Sequence, residues 1–319
     1  VIEMQSEAGA IAAVHGMLQN GVLATTYTAS QGLLLMLPNM YKIAGEMLPC
    51  VIHVAARTIA THALSIMGDH SDIYAARPTG FALLSSSSTD DIMIMTALAH
   101  LAAIKGRVPF LHFFDGFRTS HEYNKINVPD FDKIKALIDQ DAITLFRKNS
   151  LDIANPTTRG TNQGDQMYFQ QVEARNKYYD ALPDVVESYL EKLNAISKTD
   201  YRLFNYYGDK KATKVIVAMG SVCETIKEFL DYKSKGLGLI EVHLYRPFSK
   251  KHLLKALPKT VKKIAVLDRT KEAGSSGEPL YLDIVEFVKS LNLKIEVVGW
   301  RYGLSSKNTN LNDIEAIYD

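Results

Sequence analysis

Long apolar runs are missing from this chain. Its most hydrophobic stretch, Leu33 to Ala56, is broken by Pro38, Asn39, Lys42, Glu46 and Pro49, so it is a core segment and not a membrane span. Charge of one sign is missing too, with 36 Lys and Arg set against 35 Asp and Glu. No basic field therefore points to nucleic acid or to an anionic membrane surface. Cysteine is nearly absent. Cys50 and Cys223 are the only two, a usage that fits a reducing compartment. No Cys-x-x-Cys-x-x-Cys run is present to ligate an iron–sulfur cluster, and no Gly-x-Gly-x-x-Gly or Walker lysine to cradle a nucleotide. Residue 1 is Val, with no charged n-region or hydrophobic leader behind it. The expectation is a fragment that begins mid-domain, with any targeting segment upstream.

What is present alternates. With 319 residues the chain is long enough for about two domains, each with its own core. Gly21 to Gly32 is β-branched and threonine-rich and ends in a turn. Leu33 to Leu48 has helical spacing, and Pro49 to Arg57 holds a short apolar run suited to a strand buried on both faces. This predicts a βαβ unit, whose ligands gather at the carboxyl ends of the strands. Ser30, Gln31 and Gly32 sit at one such end and Arg57 at another. Further strands are predicted over Phe81–Leu84 and Val108–Phe114, with a helix from Asp90 or Asp91 to Ala103 closed by Gly106. Residues 123–200 read as an extended connecting region, with helical pieces at Phe131–Asp139, Asp141–Lys148 and Leu182–Ile196 around a polar loop, Asn155 to Asp165. A second alternating unit starts near Lys214, with strands at Val215–Gly220, Leu237–Leu244, Lys263–Leu267 and Lys294–Val298. Its Gly220-Ser-Val-Cys turn is a weak candidate for anion binding at a helix start.

Glu7 is the most informative single residue. It is a lone carboxylate at the first turn of what reads as a buried helix, and an unpartnered buried carboxylate is costly. Either Ser6 and the helix dipole satisfy it as part of a cap, or it is kept for chemistry.

Several blocks resemble pyruvate:ferredoxin (flavodoxin) oxidoreductases. They are Glu3 to Ala10, Thr28 to Gly32, Pro38 to Glu46, Gly68 to Arg77, Phe113 to His121, Leu244 to Phe248, Val266 to Glu272 and Gly299 to Leu304. The resemblance runs from end to end and matches the amino-terminal part of that multidomain family. It implies an α/β fold of two parallel-sheet domains. Residues 1–200 are similar to a pyrimidine-binding domain for thiamine diphosphate, truncated at its start, and 201–319 to a smaller domain like the carboxyl-terminal domain of transketolase. It also implies that the parent oxidatively decarboxylates pyruvate to acetyl-CoA and CO2. Electrons then leave through [4Fe-4S] clusters to ferredoxin or flavodoxin. Cys50, where the family pattern has glycine, and Pro78, where it has a polar residue, are small departures.

In the resembled family the Glu of the Gln-Ser-Glu-Ala-Gly block activates the cofactor's aminopyrimidine, a role carried here to Glu7. Such a carboxyl needs a water-poor setting in which it can share a proton near neutral pH. The substrate-binding arginine falls in the Ala-Arg block, which names Arg57, followed by Thr58. A guanidinium suits a carboxylate because it is always charged and offers a bidentate fork. The alternative is an Arg57 paired with Asp69 or Asp72 to hold loops. Ser30 and Gln31 are candidate cofactor contacts, and Gly32 more a packing residue. His62 and His70, with Asp69 and Asp72, match no zinc spacing and read as a hydrogen-bonded loop. Asp115, Arg118 and His121 read likewise, and Arg269, Lys271 and Glu272 as an interdomain or interprotein surface. No metal ligand is assigned in this chain. The resemblance puts the Mg2+ loop and the clusters in other domains, leaving half a thiamine diphosphate site that does not turn over alone. It implies coenzyme A as a further partner, a homodimer, and a cytoplasmic or hydrogenosome- or mitochondrion-related location. Another 2-oxo acid, an NADP acceptor, or a non-catalytic docking scaffold with Glu7 only as a cap remain open.

Overall fold

A computed structural model describes residues 1–319. The first half of the chain runs α1 (Glu7–Gln19), β1 (Thr25–Thr28), α2 (Gln31–Gly45), β2 (Val51–Ala56), α3 (Ser71–Ala76), β3 (Ala82–Ser86), α4 (Thr89–Gly106) and β4 (Phe110–Asp115). Helices α5 (Phe131–Lys135), α6 (Gln140–Lys148), α7 (Asp165–Glu173) and α8 (Asn176–Ser197) follow. The rest is β5 (Phe204–Gly208), β6 (Lys214–Ala218), α9 (Val222–Tyr232), β7 (Leu237–Val242), β8 (Leu244–Arg246), α10 (Lys250–Ala256), β9 (Lys263–Asp268), α11 (Pro279–Ser290), β10 (Glu296–Arg301) and α12 (Leu311–Tyr318).

Two five-stranded sheets result, in the orders β1-β2-β4-β3-β8 and β10-β9-β6-β7-β5. Each is parallel except for one edge strand, β8 on β3 and β5 on β7. The expected α/β class is observed, and the two sheets expected to be parallel are so except at those edges. The central strands show why: in β6, Val215 and Val217 enter the main core, while Ile216 and Ala218 enter a smaller one against α9 and α12. A strand buried on both faces must be apolar at every position. The main core is continuous across both sheets, from Ile11 and Val54 to Val217 and Phe287.

Boundaries depart from the sequence reading in several places. The single strand expected over Leu237–Leu244 is two, because the chain leaves one sheet and joins the other at His243. The backbone N–H of His243 bonds to Leu203 and its ring to the Ser85 carbonyl, which anchors that crossing. Helix α4 includes Gly106 and ends at Arg107, in the left-handed region, instead of closing on the glycine. Helix α8 begins at Asn176, so Pro183 lies inside it and not at its start. Strand β5 and helices α3, α7 and α12 were not foreseen. Helix α3 puts Asp72, read as part of a loop, in a helix first turn with His70 at its N-cap. Helix α12 carries an Asn310/Asp313 capping box that signals its start. No helix is long and apolar enough to cross a membrane.

Candidate functional site

The carboxyl ends of β1, β2 and β4 lie side by side, since β1 pairs with β2 and β2 with β4. Helix α1 delivers Glu7 to this edge. Ser6 caps it, its Oγ accepting from the Ala8 N–H at 3.3 Å. The helix buries Ile11, Val14 and Leu18 on one face only. The expected buried helix is therefore half-buried, and Glu7, on its outer first turn, is exposed in this chain instead of sitting in a water-poor pocket. Its carboxylate stands over the β1–α2 turn. A Cβ on Gly32 would fall 2.6 Å from Thr28 Oγ1 and 2.8 Å from Glu7 Oε1. Gly32 is thus required for Glu7 to lie where it does. Thr28 Oγ1 is buried beside it with no hydrogen-bond partner.

The turn continues through Ser30, whose φ of +53° is in the left-handed region. Its Oγ donates to Gln31 Oε1 and to the Thr58 carbonyl. Its N–H donates to Asp72 Oδ2 at 2.8 Å, and the Arg57 N–H reaches the same oxygen at 3.0 Å. The third bond to Asp72, on Oδ1, comes from its own neighbour Ile73 at 2.8 Å. Burial pushes the Asp72 carboxyl up to about 7, against the three backbone donors that favour its charge. Asp72 does join the loops, but through the Arg57 backbone; the side-chain ion pair weighed as an alternative does not form.

The Arg57 side chain is held by other means. Nε donates to the Ile66 carbonyl at 2.9 Å, and the guanidinium lies 5.0 Å over the Phe117 ring. Phe117 itself stacks on His121, with ring centroids 4.7 Å apart. Gly116 makes room: a Cβ there would meet the Ala56 carbonyl at 2.6 Å and Arg57 Cγ at 2.7 Å. Thr58 is buried, its hydroxyl donating to the Ser65 carbonyl. The structure thus gathers Glu7 with Gly32, and Ser30 and Gln31 with Arg57 and Thr58, the 28–32 turn joining the two groups. Phe117 was not singled out for this site, and Asp72 was weighed only as a side-chain partner of Arg57. The signal available for Phe117 was its place in a quoted block just beyond the end of β4.

The other candidates serve the junction of the two sheets. Asp115, wholly buried, pairs with His70 Nε2 at 2.6 Å and Arg269 Nη1 at 2.6 Å. It also accepts from the Ser221 N–H at 2.9 Å. The weak anion site at the start of α9 is therefore filled by this chain's own Asp115. Burial alone would raise that carboxyl, but His70, Arg269 and Ser221 hold it well below the usual carboxylate range. Arg118 donates to Asn308 at 2.6 Å, Glu272 pairs with Arg77 at 3.0 Å and Lys271 with Glu278 at 3.5 Å. One polar cluster went unseen in the sequence. His53 lies between His112 (Nδ1–Nδ1 3.0 Å) and His100 (Nε2–Nε2 3.4 Å), inside the first sheet and against α4.

Comparisons with known proteins show the family and the fold. Residues 1–191 match the family described as "Pyruvate flavodoxin/ferredoxin oxidoreductase, thiamine diP-bdg", and residues 212–314 match "Pyruvate:ferredoxin oxidoreductase core domain II". The whole chain is 55% identical to a pyruvate-flavodoxin oxidoreductase of Enterobacter agglomerans and 56% identical to a pyruvate:ferredoxin oxidoreductase of Moorella thermoacetica. It spans 28% of the length of each. A "Pyruvate dehydrogenase [NADP(+)]" of Cryptosporidium parvum is 48% identical over 96% of the chain, which covers 16% of that protein. Among solved structures, a 2-oxoglutarate:ferredoxin oxidoreductase of Magnetococcus marinus shares the fold. Its TM-score is 0.67 at 17% identity, over 100% of this chain and 57% of that one. The chain therefore belongs to the pyruvate flavodoxin/ferredoxin oxidoreductase family, as a part that carries its thiamine diphosphate-binding region.

Proposed function

We propose that this chain forms one wall of the thiamine diphosphate site of an enzyme that converts pyruvate and coenzyme A to acetyl-CoA and CO2. Two electrons leave for ferredoxin or flavodoxin. The single observation that carries the reading is the placement of Glu7 at the strand ends over Gly32, on the same turn that binds Ser30 to the Arg57–Thr58 strand end.

The residues fit the cofactor. A carboxylate with a bare glycine beneath it and an unsatisfied hydroxyl, Thr28 Oγ1, beside it leaves hydrogen-bonding capacity directed at a ligand. Glu7 is exposed in this chain, so the water-poor setting this role needs would come from the cofactor and the rest of the parent. Thiamine diphosphate, when bound, supplies the nucleophilic carbon and the electron sink. Glu7 would hold the cofactor through its carboxyl, where it would share a proton with it, and Ser30 and Gln31 line the turn beside it. Arg57 binds the carboxylate of the 2-oxo acid without exchanging protons, its plane set by Phe117 and its Nε by Ile66. Thr58 fixes the strand end that carries Arg57.

In this reading residues 1–200 are the pyrimidine-binding part and 201–319 the transketolase C-terminal-like part; the two matched ranges, 1–191 and 212–314, support the division. Mg2+, the [4Fe-4S] clusters and a homodimeric assembly belong to the parent in this reading, in a reducing cytoplasmic or hydrogenosome- or mitochondrion-related compartment, and the chain alone does not turn over. The Cryptosporidium relative favours a second reading, in which the parent passes electrons to NADP. A steady-state assay of the full-length parent with pyruvate and longer 2-oxo acids, against ferredoxin, flavodoxin and NADP, tests both. Preference for pyruvate with a protein acceptor supports the first. No 2-oxo acid oxidation with any acceptor contradicts the class.

A further inference from the structure

Two strand ends with different proposed roles are tied by a single buried oxygen. Asp72 is fully buried, and its Oδ2 accepts from Ser30 N–H at the end of β1 and from Arg57 N–H at the end of β2. Oδ1 is taken by Ile73 N–H. All three partners are donors, an arrangement the ionised carboxylate serves as an acceptor-only hub; an amide would turn its NH2 toward a donor at one of them. The hub also holds Ser30 in the left-handed region, which a non-glycine residue keeps only when its surroundings fix it. Arg57 is pinned by its backbone at this hub, while Nε and the guanidinium face are occupied by Ile66 and Phe117. That leaves the terminal Nη groups to meet a ligand.

We propose that Asp72 is a positioning residue, which locks the β1 and β2 ends in register so that Arg57 meets the 2-oxo acid carboxylate at a fixed place beside the Glu7–Gly32 turn. The inference rests on the reading of Arg57 given above. It assigns no proton transfer to Asp72 and no contact with substrate. An isosteric amide at 72 therefore weakens substrate capture more than it slows the later steps.

The test uses the full-length parent enzyme with Arg57→Gln, Asp72→Asn and the double variant. Pyruvate KM and kcat are measured together with the affinity for thiamine diphosphate. The expected result is a KM raised about tenfold by Asp72→Asn, with kcat and cofactor affinity within about threefold of wild type. Arg57→Gln raises KM at least as much, and the double variant is no worse than Arg57→Gln, because both act through one group. If Arg57→Gln raises KM while Asp72→Asn leaves it unchanged, the inference fails and the reading of Arg57 stands. A uniform fall in kcat and both affinities for Asp72→Asn assigns it a merely structural role and also overturns the inference. An unchanged KM for Arg57→Gln overturns the reading itself. Should Asp72→Asn not fold, it is combined with Ser30→Gly, which removes the backbone cost that the carboxylate holds down. Against Ser30→Gly alone, a tenfold KM rise is again expected, and none contradicts the proposal.

Discussion

Glu7 and Gly32 share one space: a single methyl group on residue 32 would lie 2.8 Å from Glu7 Oε1. The glycine is what lets a helix first turn set a carboxylate down on the end of a neighbouring strand. Gly32→Ala is expected to displace Glu7 by a fraction of an ångström to an ångström. A shift of that size costs about 10²-fold in turnover of the parent enzyme, while its melting temperature stays close to wild type. Turnover within twofold of wild type contradicts the placement.

The junction of the two sheets depends on Asp115. Replacing it with Asn leaves Arg269, buried and otherwise paired only with backbone and hydroxyl oxygens, without its anion. Breaking a buried pair from one side costs about 3–5 kcal/mol. The pH dependence follows from the direction of the shift. The folded carboxyl titrates below its unfolded value, so its stabilisation is present above pH 4 and is lost as pH falls below that. Urea unfolding of wild type and Asp115→Asn at pH 7 and pH 3 is expected to show a gap that narrows in acid. A gap that widens contradicts it.

The histidine row predicts the other acid-sensitive term. Burial, with the nearby charge of His100, lowers His53 to about 4. Its neutral form is favoured in the folded chain, so the contribution is complete above the unfolded value near 6.5 and declines as pH falls toward 4. Between pH 7.5 and 5, wild type is expected to lose about 2 kcal/mol more than His53→Gln. Equal losses in thermal unfolding contradict it.

Both cysteines are buried and unpaired. Burial pushes the Cys50 thiol up to about 12 and Cys223 well above its ordinary value. Neither is expected to react with iodoacetamide at pH 8 until the chain is unfolded, as read by intact mass. Rapid native labelling of either contradicts the packing around it.

The repeat of strand and helix was legible because strands such as Val215–Ala218 are apolar at every position, and Val51–Ala56 at every position but His53, which a sheet covered on both faces asks for. Glu7, Ser30 and Arg57 were legible as strand-end and helix-start residues before any contact was known. What the sequence did not carry was pairing across distance. Nothing local says that Asp72 bonds two backbones instead of the Arg57 side chain, or that Asp115 fills the start of α9 more than 100 residues on. The apolar, small-residue look of α1 suggested burial for Glu7. Only the stripe of Ile11, Val14 and Leu18 faces the core, and the first turn lies outside it.

The central claim is that Glu7 activates a bound cofactor, and C2-hydrogen exchange of thiamine diphosphate in the complete parent enzyme measures it most directly. Exchange in Glu7→Gln is expected to fall about 10²-fold or more below wild type, the usual size of an acid–base contribution, with the cofactor still bound. An unchanged rate would show that Glu7 is a helix-start residue only and that the site's proton chemistry lies elsewhere.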